Sequence, residues 1–128
     1  MTKQSIRTPL GQVRGLGSAR HGAGHFITQR VSAIALLFLV PWFLITLIGA
    51  VRGGYDGALI YIADPFNAVL IILTVGAALY HMRLGMQVVV EDYILKNSTK
   101  TVLLILNTFI CITLFAAAAY AVLKIAIA

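Results

Sequence analysis

Charged residues, and acidic residues above all, are scarce in this sequence. Only 11% of the 128 residues are charged, with four Asp and Glu against ten Lys and Arg, whereas 60% are hydrophobic. With a mean hydropathy of +0.94, the chain has too little polar surface to coat a water-soluble globule. This composition excludes a soluble domain and predicts an integral membrane protein.

Cysteine is also nearly absent, since Cys111 is the only one. A single cysteine forms no disulfide within the chain, so we interpret it as a small packing residue. The sequence also contains no phosphate-binding glycine loop and no nucleophilic triad. The chain therefore shows no catalytic motif of its own.

Long uncharged segments are what the sequence does contain. Residues 31–51, 66–80 and 101–123 carry no charge, and the first and last of these runs are long enough to cross a bilayer. The middle run spans only if it continues through the more polar stretch LYHMRLGMQVVVEDYIL, residues 79–95. We therefore predict an all-α membrane protein with transmembrane helices at about 29–51, 65–93 and 100–125.

Basic residues are concentrated before the first predicted helix, where they indicate orientation. Five of them lie before or at its start, and one lies in the segment 52–64: Lys3, Arg7, Arg14, Arg20, Arg30 and, in the segment, Arg52. This asymmetry predicts a cytoplasmic N-terminus and a periplasmic C-terminus. The net charge of +6 is then a signal of topology, and we expect no nucleic-acid binding.

The N-terminal segment differs in composition from the rest of the chain, so we divide the sequence there. Residues 1–28 form a basic, Gly-rich cytoplasmic arm, and residues 29–128 form the three-helix transmembrane anchor domain. Five glycines disfavour a helix in the arm, and we expect it to lie extended on a partner or on anionic lipid headgroups. They are Gly11, Gly15, Gly17, Gly22 and Gly24.

His81 is the first of two polar features in the second predicted helix. At about 100° per residue it shares a face with Ala77, Ala78 and Gly85, which leave a groove beside the imidazole. Such a groove admits a closely packed helix or a flat cofactor. The alternative is a histidine that merely hydrogen-bonds a neighbouring helix.

A ridge of Arg83, Gln87 and Glu91 is the second polar feature of this helix. The three residues are four apart and point away from His81 by roughly 200°. Polar groups on both sides predict that protein encloses this half of the helix, with some pairing within the ridge. We expect the ridge to be structural and the chain to be part of a larger assembly.

One spacing pattern resembles a known family. It consists of His81, Gly85 and Gln87 followed by the pair Asp92 and Tyr93, with FITQRVSAIAL at residues 26–36 leading into the first helix. Together with the three-helix layout, the pattern resembles the smaller cytochrome b-type membrane anchor subunit of succinate dehydrogenase, the succinate:quinone oxidoreductase of respiratory complex II. The resemblance covers nearly the whole chain.

The resemblance implies a haem site at His81. In the family the matching histidine is an axial ligand of haem b, and the sister cytochrome b anchor subunit supplies the other axial histidine. The arginine that matches Arg30 lies near the haem propionates, although an arginine at a helix start is otherwise a topology signal. His25 is a further candidate for a propionate contact, but neither it nor His21 lies at the expected offset from Arg30.

The resemblance also implies a quinone site at the cytoplasmic end of the second helix. The tyrosine that matches Tyr93 hydrogen-bonds ubiquinone, and Asp92 belongs to the same pocket. A phenol at this depth is able to hold a quinone carbonyl oxygen, while a nearby carboxylate orients the donor or passes protons. The alternative for Tyr93 is an ordinary residue of the interfacial aromatic belt.

These features together predict a non-catalytic anchor that docks a flavoprotein and an iron-sulfur subunit, so that electrons from succinate reach ubiquinone. No activity is expected for the isolated chain, because it has no flavin motif and no cysteine cluster. A bacterial inner membrane is favoured over a mitochondrial inner membrane, with membrane lipid as a further partner. The alternative is a non-redox small subunit or assembly factor of another membrane complex.

Overall fold

The computed structural model describes residues 8–14 and 22–128. These ranges contain five helices, in chain order α1 (Pro9–Arg14), α2 (Gly22–Arg52), α3 (Gly54–Ala63), α4 (Pro65–Tyr93) and α5 (Asn97–Ile127). Three of them, α2, α4 and α5, are long and apolar enough to cross a membrane. The predicted all-α fold with three helices of transmembrane length is confirmed.

Helix α4 is the middle helix of the bundle, with α2 packed on one side and α5 on the other. Most of the buried residues of the described chain belong to it: Ala68, Ile71, Thr74, Leu84 and Val90. Large apolar side chains on α2 and α5 are mostly exposed. Such surface is stable only against lipid or other apolar protein, as expected for a membrane subunit.

The segment 52–64 contains the short helix α3 (Gly54–Ala63), which the sequence pattern does not predict. Gly54 has a φ of +69°, a left-handed conformation that glycine adopts without steric cost. It turns the chain so that α3 packs back on α2, where Tyr61 Oη lies 2.7 Å from Thr46 Oγ1. This packing is tertiary, so a local pattern does not reveal it.

The ends of α4 follow from local sequence. Asp64 precedes the helix and its Oδ1 accepts a hydrogen bond of 2.9 Å from the amide of Asn67, while Pro65 takes the first helical position. The helix ends at Tyr93, after which Ile94 is extended. These bounds are those that the sequence predicts, and they place His81 well inside the helix.

The expectation of an extended N-terminal arm is wrong where the structure describes it. Gly11 lies in α1, where its amide bonds Thr8 Oγ1 at 3.1 Å, and Gly22 and Gly24 lie in α2, which begins seven residues before the predicted start at residue 29. Each glycine costs about 1 kcal/mol in a helix, and this cost is tolerated at Gly22 and Gly24 because they extend a long helix that continues to Arg52. The remaining residues named for the arm lie outside the described residues: Lys3, Arg7, Gly15, Gly17, Arg20 and His21.

Candidate functional site

His81 lies in α4 with its ring turned toward α2. Its Nδ1 atom is 2.9 Å from the Oγ atom of Ser32. The same Oγ atom is also 2.9 Å from the main-chain carbonyl oxygen of Gln29. Ser32 is only 6% exposed, whereas His81 is half-buried. Within the part of the chain that the structure describes, the hydrogen bond of the ring thus uses Nδ1 and not Nε2.

Ser32 belongs to a polar face of α2 that also carries His25 and Gln29. The spacing of four and then three residues places the three side chains on one side of the helix. Nε2 of His25 and Oε1 of Gln29 are buried, and neither has a hydrogen-bond partner among the described residues. Buried polar atoms are rarely left unpaired, so this face indicates a polar partner from outside residues 8–14 and 22–128.

The region around His81 fits the haem that the sequence analysis predicts. A Cβ atom built on Gly85, one turn after His81, meets only the Nε2 atom of Gln29, at 3.9 Å, so space remains beside the imidazole. Among residues 8–14 and 22–128, no group of three or more His, Cys, Asp or Glu side chains comes together to hold a metal ion. His81 is thus a single candidate donor at this position, and its role as a haem ligand stays a prediction.

Arg83 points to the opposite neighbour, helix α5. Its Nε atom donates a 3.1 Å hydrogen bond to Thr108 Oγ1, and Asn107 Nδ2 donates to the main-chain oxygen of Arg83 at 3.0 Å. Gln87 Nε2 instead donates to Glu91 Oε1 at 2.8 Å. The predicted ridge thus pairs internally only between Gln87 and Glu91, while Arg83 joins α4 to α5.

The end of α4 presents Asp92 and Tyr93 to the surroundings. Tyr93 is 80% exposed, and Asp92 is exposed as well. The adjacent Glu91 carbonyl oxygen accepts a 2.8 Å hydrogen bond from Lys100 Nζ, which ties the turn to the start of α5. Tyr93 follows His81 by twelve residues, or roughly 18 Å along the helix, so the two predicted sites are separate.

Arg30 leaves α2 on a different side from Ser32. Its guanidinium carbon lies 5.0 Å from the centre of the Phe26 ring, and the arginine is exposed. A difference of two residues corresponds to roughly 200° around a helix. Arg30 therefore lies on a different side of α2 from the face that meets His81. The role of Arg30 near the haem propionates stays a prediction.

Two concavities in the described chain lie away from both predicted sites. One, of about 260 Å³, lies between α4 and α5 and is lined by Arg83, Tyr80 and Phe115 among others. The other, of about 760 Å³, lies between α3 and α5 near Tyr55 and Tyr120. Neither is lined by His81 or Tyr93.

The sequence pattern alone does not identify Ser32 or Gln29 as candidate site residues. A signal was present, because His25, Gln29 and Ser32 recur at helical spacing just before a long apolar run. That periodicity does not show which helix the polar face meets. Only the packing of α2 on α4 brings it to His81.

Comparison with known proteins gives a consistent result. A family model described as "Succinate dehydrogenase/Fumarate reductase transmembrane subunit" matches residues 4–119. The chain is 31% identical over 108 residues to the succinate dehydrogenase hydrophobic membrane anchor subunit of Rickettsia conorii, covering 84% of this chain and 86% of that one. It is 32% identical over 117 residues to the same-named subunit of Paracoccus denitrificans, covering 91% and 90%. No solved structure matches the chain significantly.

Proposed function

The chain belongs to the family of succinate dehydrogenase and fumarate reductase transmembrane subunits, and on this premise we propose that it anchors a succinate:ubiquinone oxidoreductase in a bacterial inner membrane. It helps bind haem b and ubiquinone, and it docks the flavoprotein and iron-sulfur subunits on the cytoplasmic side. The named relatives from Rickettsia and Paracoccus support this proposal. So does the presence of three helices long enough to cross a membrane.

The geometry of His81 is the observation that carries the haem proposal. The imidazole is held through Nδ1 by a buried hydroxyl on the next helix, which leaves Nε2 as the nitrogen for iron. When bound, the haem supplies a one-electron redox centre inside the membrane. This chain's contribution is to hold one axial nitrogen in place, with Arg30 and His25 as the proposed contacts of the propionates.

Tyr93 and Asp92 are the proposed quinone contacts. Both are exposed at the end of α4, where a phenol is able to donate to a quinone carbonyl oxygen while the apolar tail stays in the bilayer. Asp92 follows Glu91 at the same helix end and orients the phenol or passes protons to the reduced quinone. The exposure of Tyr93 supports an external ligand, because within the described residues its hydroxyl is not needed to hold the fold.

The proposed partners supply the chemistry that this chain lacks. One cysteine is insufficient for an iron-sulfur cluster, so succinate oxidation resides in the flavoprotein and iron-sulfur subunits. The sister cytochrome b anchor subunit brings the second axial histidine. The half-buried ring of His81 supports a neighbouring chain at this face, as do the buried atoms of His25 and Gln29 that have no partner among the described residues.

We expect His81→Ala to remove one axial ligand and to change the optical spectrum and the midpoint potential of the haem in the assembled complex. Dithionite-reduced minus oxidised spectra and a redox titration measure both. Thr74→Ala is the matched control, because Thr74 is a buried residue on the same helix whose hydroxyl bonds only its own helix, at Leu70 O. It should leave the haem unchanged.

The alternative is a non-redox small subunit or assembly factor in which His81 serves only to join α4 to α2. In that case the purified complex carries no b-type haem, or it keeps an unaltered bis-histidine spectrum when His81 is replaced. Either result would reject the haem assignment for this chain.

A further inference from the structure

We propose that Ser32 is a positioning residue that selects the tautomer of His81 and fixes the orientation of its ring. The inference rests on the proposed function of His81 as a haem ligand. It adds a residue of α2 whose effect on the haem acts through the imidazole and not through direct contact with iron.

The argument starts from the single proton of the Ser32 hydroxyl. The Oγ atom has two neighbours at hydrogen-bond distance, Gln29 O at 2.9 Å and His81 Nδ1 at 2.9 Å. The carbonyl oxygen only accepts, so it takes the hydroxyl proton. Both contacts are then hydrogen bonds only if Nδ1 of His81 carries a proton and donates it to Oγ.

The opposite tautomer leaves one of these contacts without a proton. With Nδ1 unprotonated, the hydroxyl proton serves either the carbonyl or the ring nitrogen, and two lone pairs face each other at 2.9 Å in the remaining contact. Ser32 is buried, where such repulsion is poorly screened. The Nδ1–H tautomer is therefore selected, and Nε2 keeps the lone pair that binds iron.

The same bond sets the electronic character of the ligand. A hydrogen bond from the noncoordinating N–H of a metal-binding histidine fixes the ring and makes it a stronger donor. Stronger donation favours the ferric state, so loss of the bond shifts the haem toward the ferrous state. The Ser32 proton is accepted by the main-chain carbonyl oxygen of Gln29. Side-chain changes at position 29 therefore leave the direction of both hydrogen bonds unchanged.

The test uses the purified complex carrying Ser32→Ala, Ser32→Cys or Ser32→Thr. Alanine removes the acceptor, cysteine keeps approximately the volume but accepts weakly, and threonine keeps the hydroxyl. We expect the Ala and Cys variants to shift the ferric-to-ferrous ratio at a fixed ambient potential by about threefold to tenfold toward ferrous, where tenfold is about 59 mV for one electron. Ser32→Thr should restore the parental potential and the parental low-spin electron paramagnetic resonance signal.

The outcomes separate this inference from the function on which it rests. If His81→Ala alters the haem but the three Ser32 variants all match the parent, the positioning role is wrong and the ligand assignment stands. If Ala, Cys and Thr all lower the haem content equally, position 32 serves packing alone and the inference is overturned. If replacing His81 leaves the haem unchanged, the proposed function itself fails.

Discussion

At the residue scale, His81 and Tyr93 differ in how the protein holds them. His81 is half-buried and fixed by a buried serine on another helix, whereas Tyr93 is 80% exposed at the end of its helix. A metal ligand requires a fixed ring, because the position of the donor nitrogen decides the geometry at iron. A group that binds a diffusing substrate at the membrane surface has to remain accessible.

We expect Tyr93→Phe to lower quinone-dependent turnover several-fold to tens-fold while leaving succinate oxidation with a soluble artificial acceptor intact. The change removes only the hydroxyl, and a hydrogen bond of this kind contributes about 0.5–1.5 kcal/mol, more if the quinone carbonyl is left unpaired. Steady-state assays with the two acceptors measure the difference.

Tyr55→Phe is the control for this comparison, since Tyr55 is 78% exposed and lies in α3 at the other end of the bundle. Equal quinone-dependent rates in the parent and the Tyr93→Phe complex would make Tyr93 a residue of the aromatic belt.

At the element scale, α4 packs between α2 and α5 and presents a different polar face to each of them. The face with His81 meets Ser32 on α2, and the face with Arg83 meets Thr108 and Asn107 on α5. Inside a membrane such polar contacts help to join helices, because lipid offers no hydrogen-bond partners. Small residues assist, and Gly76 lets the Phe115 ring approach to 3.0 Å of where its Cβ would lie.

We expect Gly54→Ala to destabilise the helical bundle by about 1–2 kcal/mol, because a side chain at a φ of +69° places Cβ too close to the backbone. The heat resistance of the purified complex, measured as the fraction that stays assembled after heating, reports the change.

Gly49→Ala in α2 is the matched control, since a Cβ atom there meets nothing within 4 Å and alanine favours a helix. If both variants lose the same heat resistance, the backbone conformation at residue 54 is not the cause.

At the scale of the whole molecule, the uneven distribution of basic residues predicts how the bundle lies in the membrane. Basic residues precede α2, while Arg52, the last residue of α2, is the only basic residue from there to the start of α4. Lys96 and Lys100 lie at the turn between α4 and α5. With an N-terminus on the cytoplasmic side, Tyr93 and this turn face the proposed catalytic subunits.

In intact spheroplasts we expect the Asp56→Cys variant to react with a membrane-impermeant maleimide, because position 56 is predicted to face the outside. The Ser98→Cys variant should react only after permeabilisation, because position 98 is predicted to face the cytoplasm. Both positions are exposed, and the native Cys111 is buried, so background labelling is low. The reverse labelling pattern would invert the orientation.

Much of the fold was predictable because it depends on local sequence. Long uncharged runs predict helices of transmembrane length, and the Asp64–Pro65 pair marks the start of α4 at the residue where the structure has it. The predicted start of α2 at residue 29 is seven residues too late, because glycines disfavour a helix locally but the continuation of a long helix offsets their cost. Local sequence does not predict helix α3, because it depends on contacts with α2 and α5.

The sequence by itself determined the class of protein, the helix that carries the polar residues, and the two faces on which they lie, since periodicity along one helix is a local property. Only the tertiary structure decided which helix each face meets. Ser32 is 49 residues from His81 and Thr108 is 25 residues from Arg83. No spacing rule connects such distant positions, because the packing of whole helices brings them together. Ser32 is therefore brought to His81, the proposed haem ligand, only by the packing of α2 against α4.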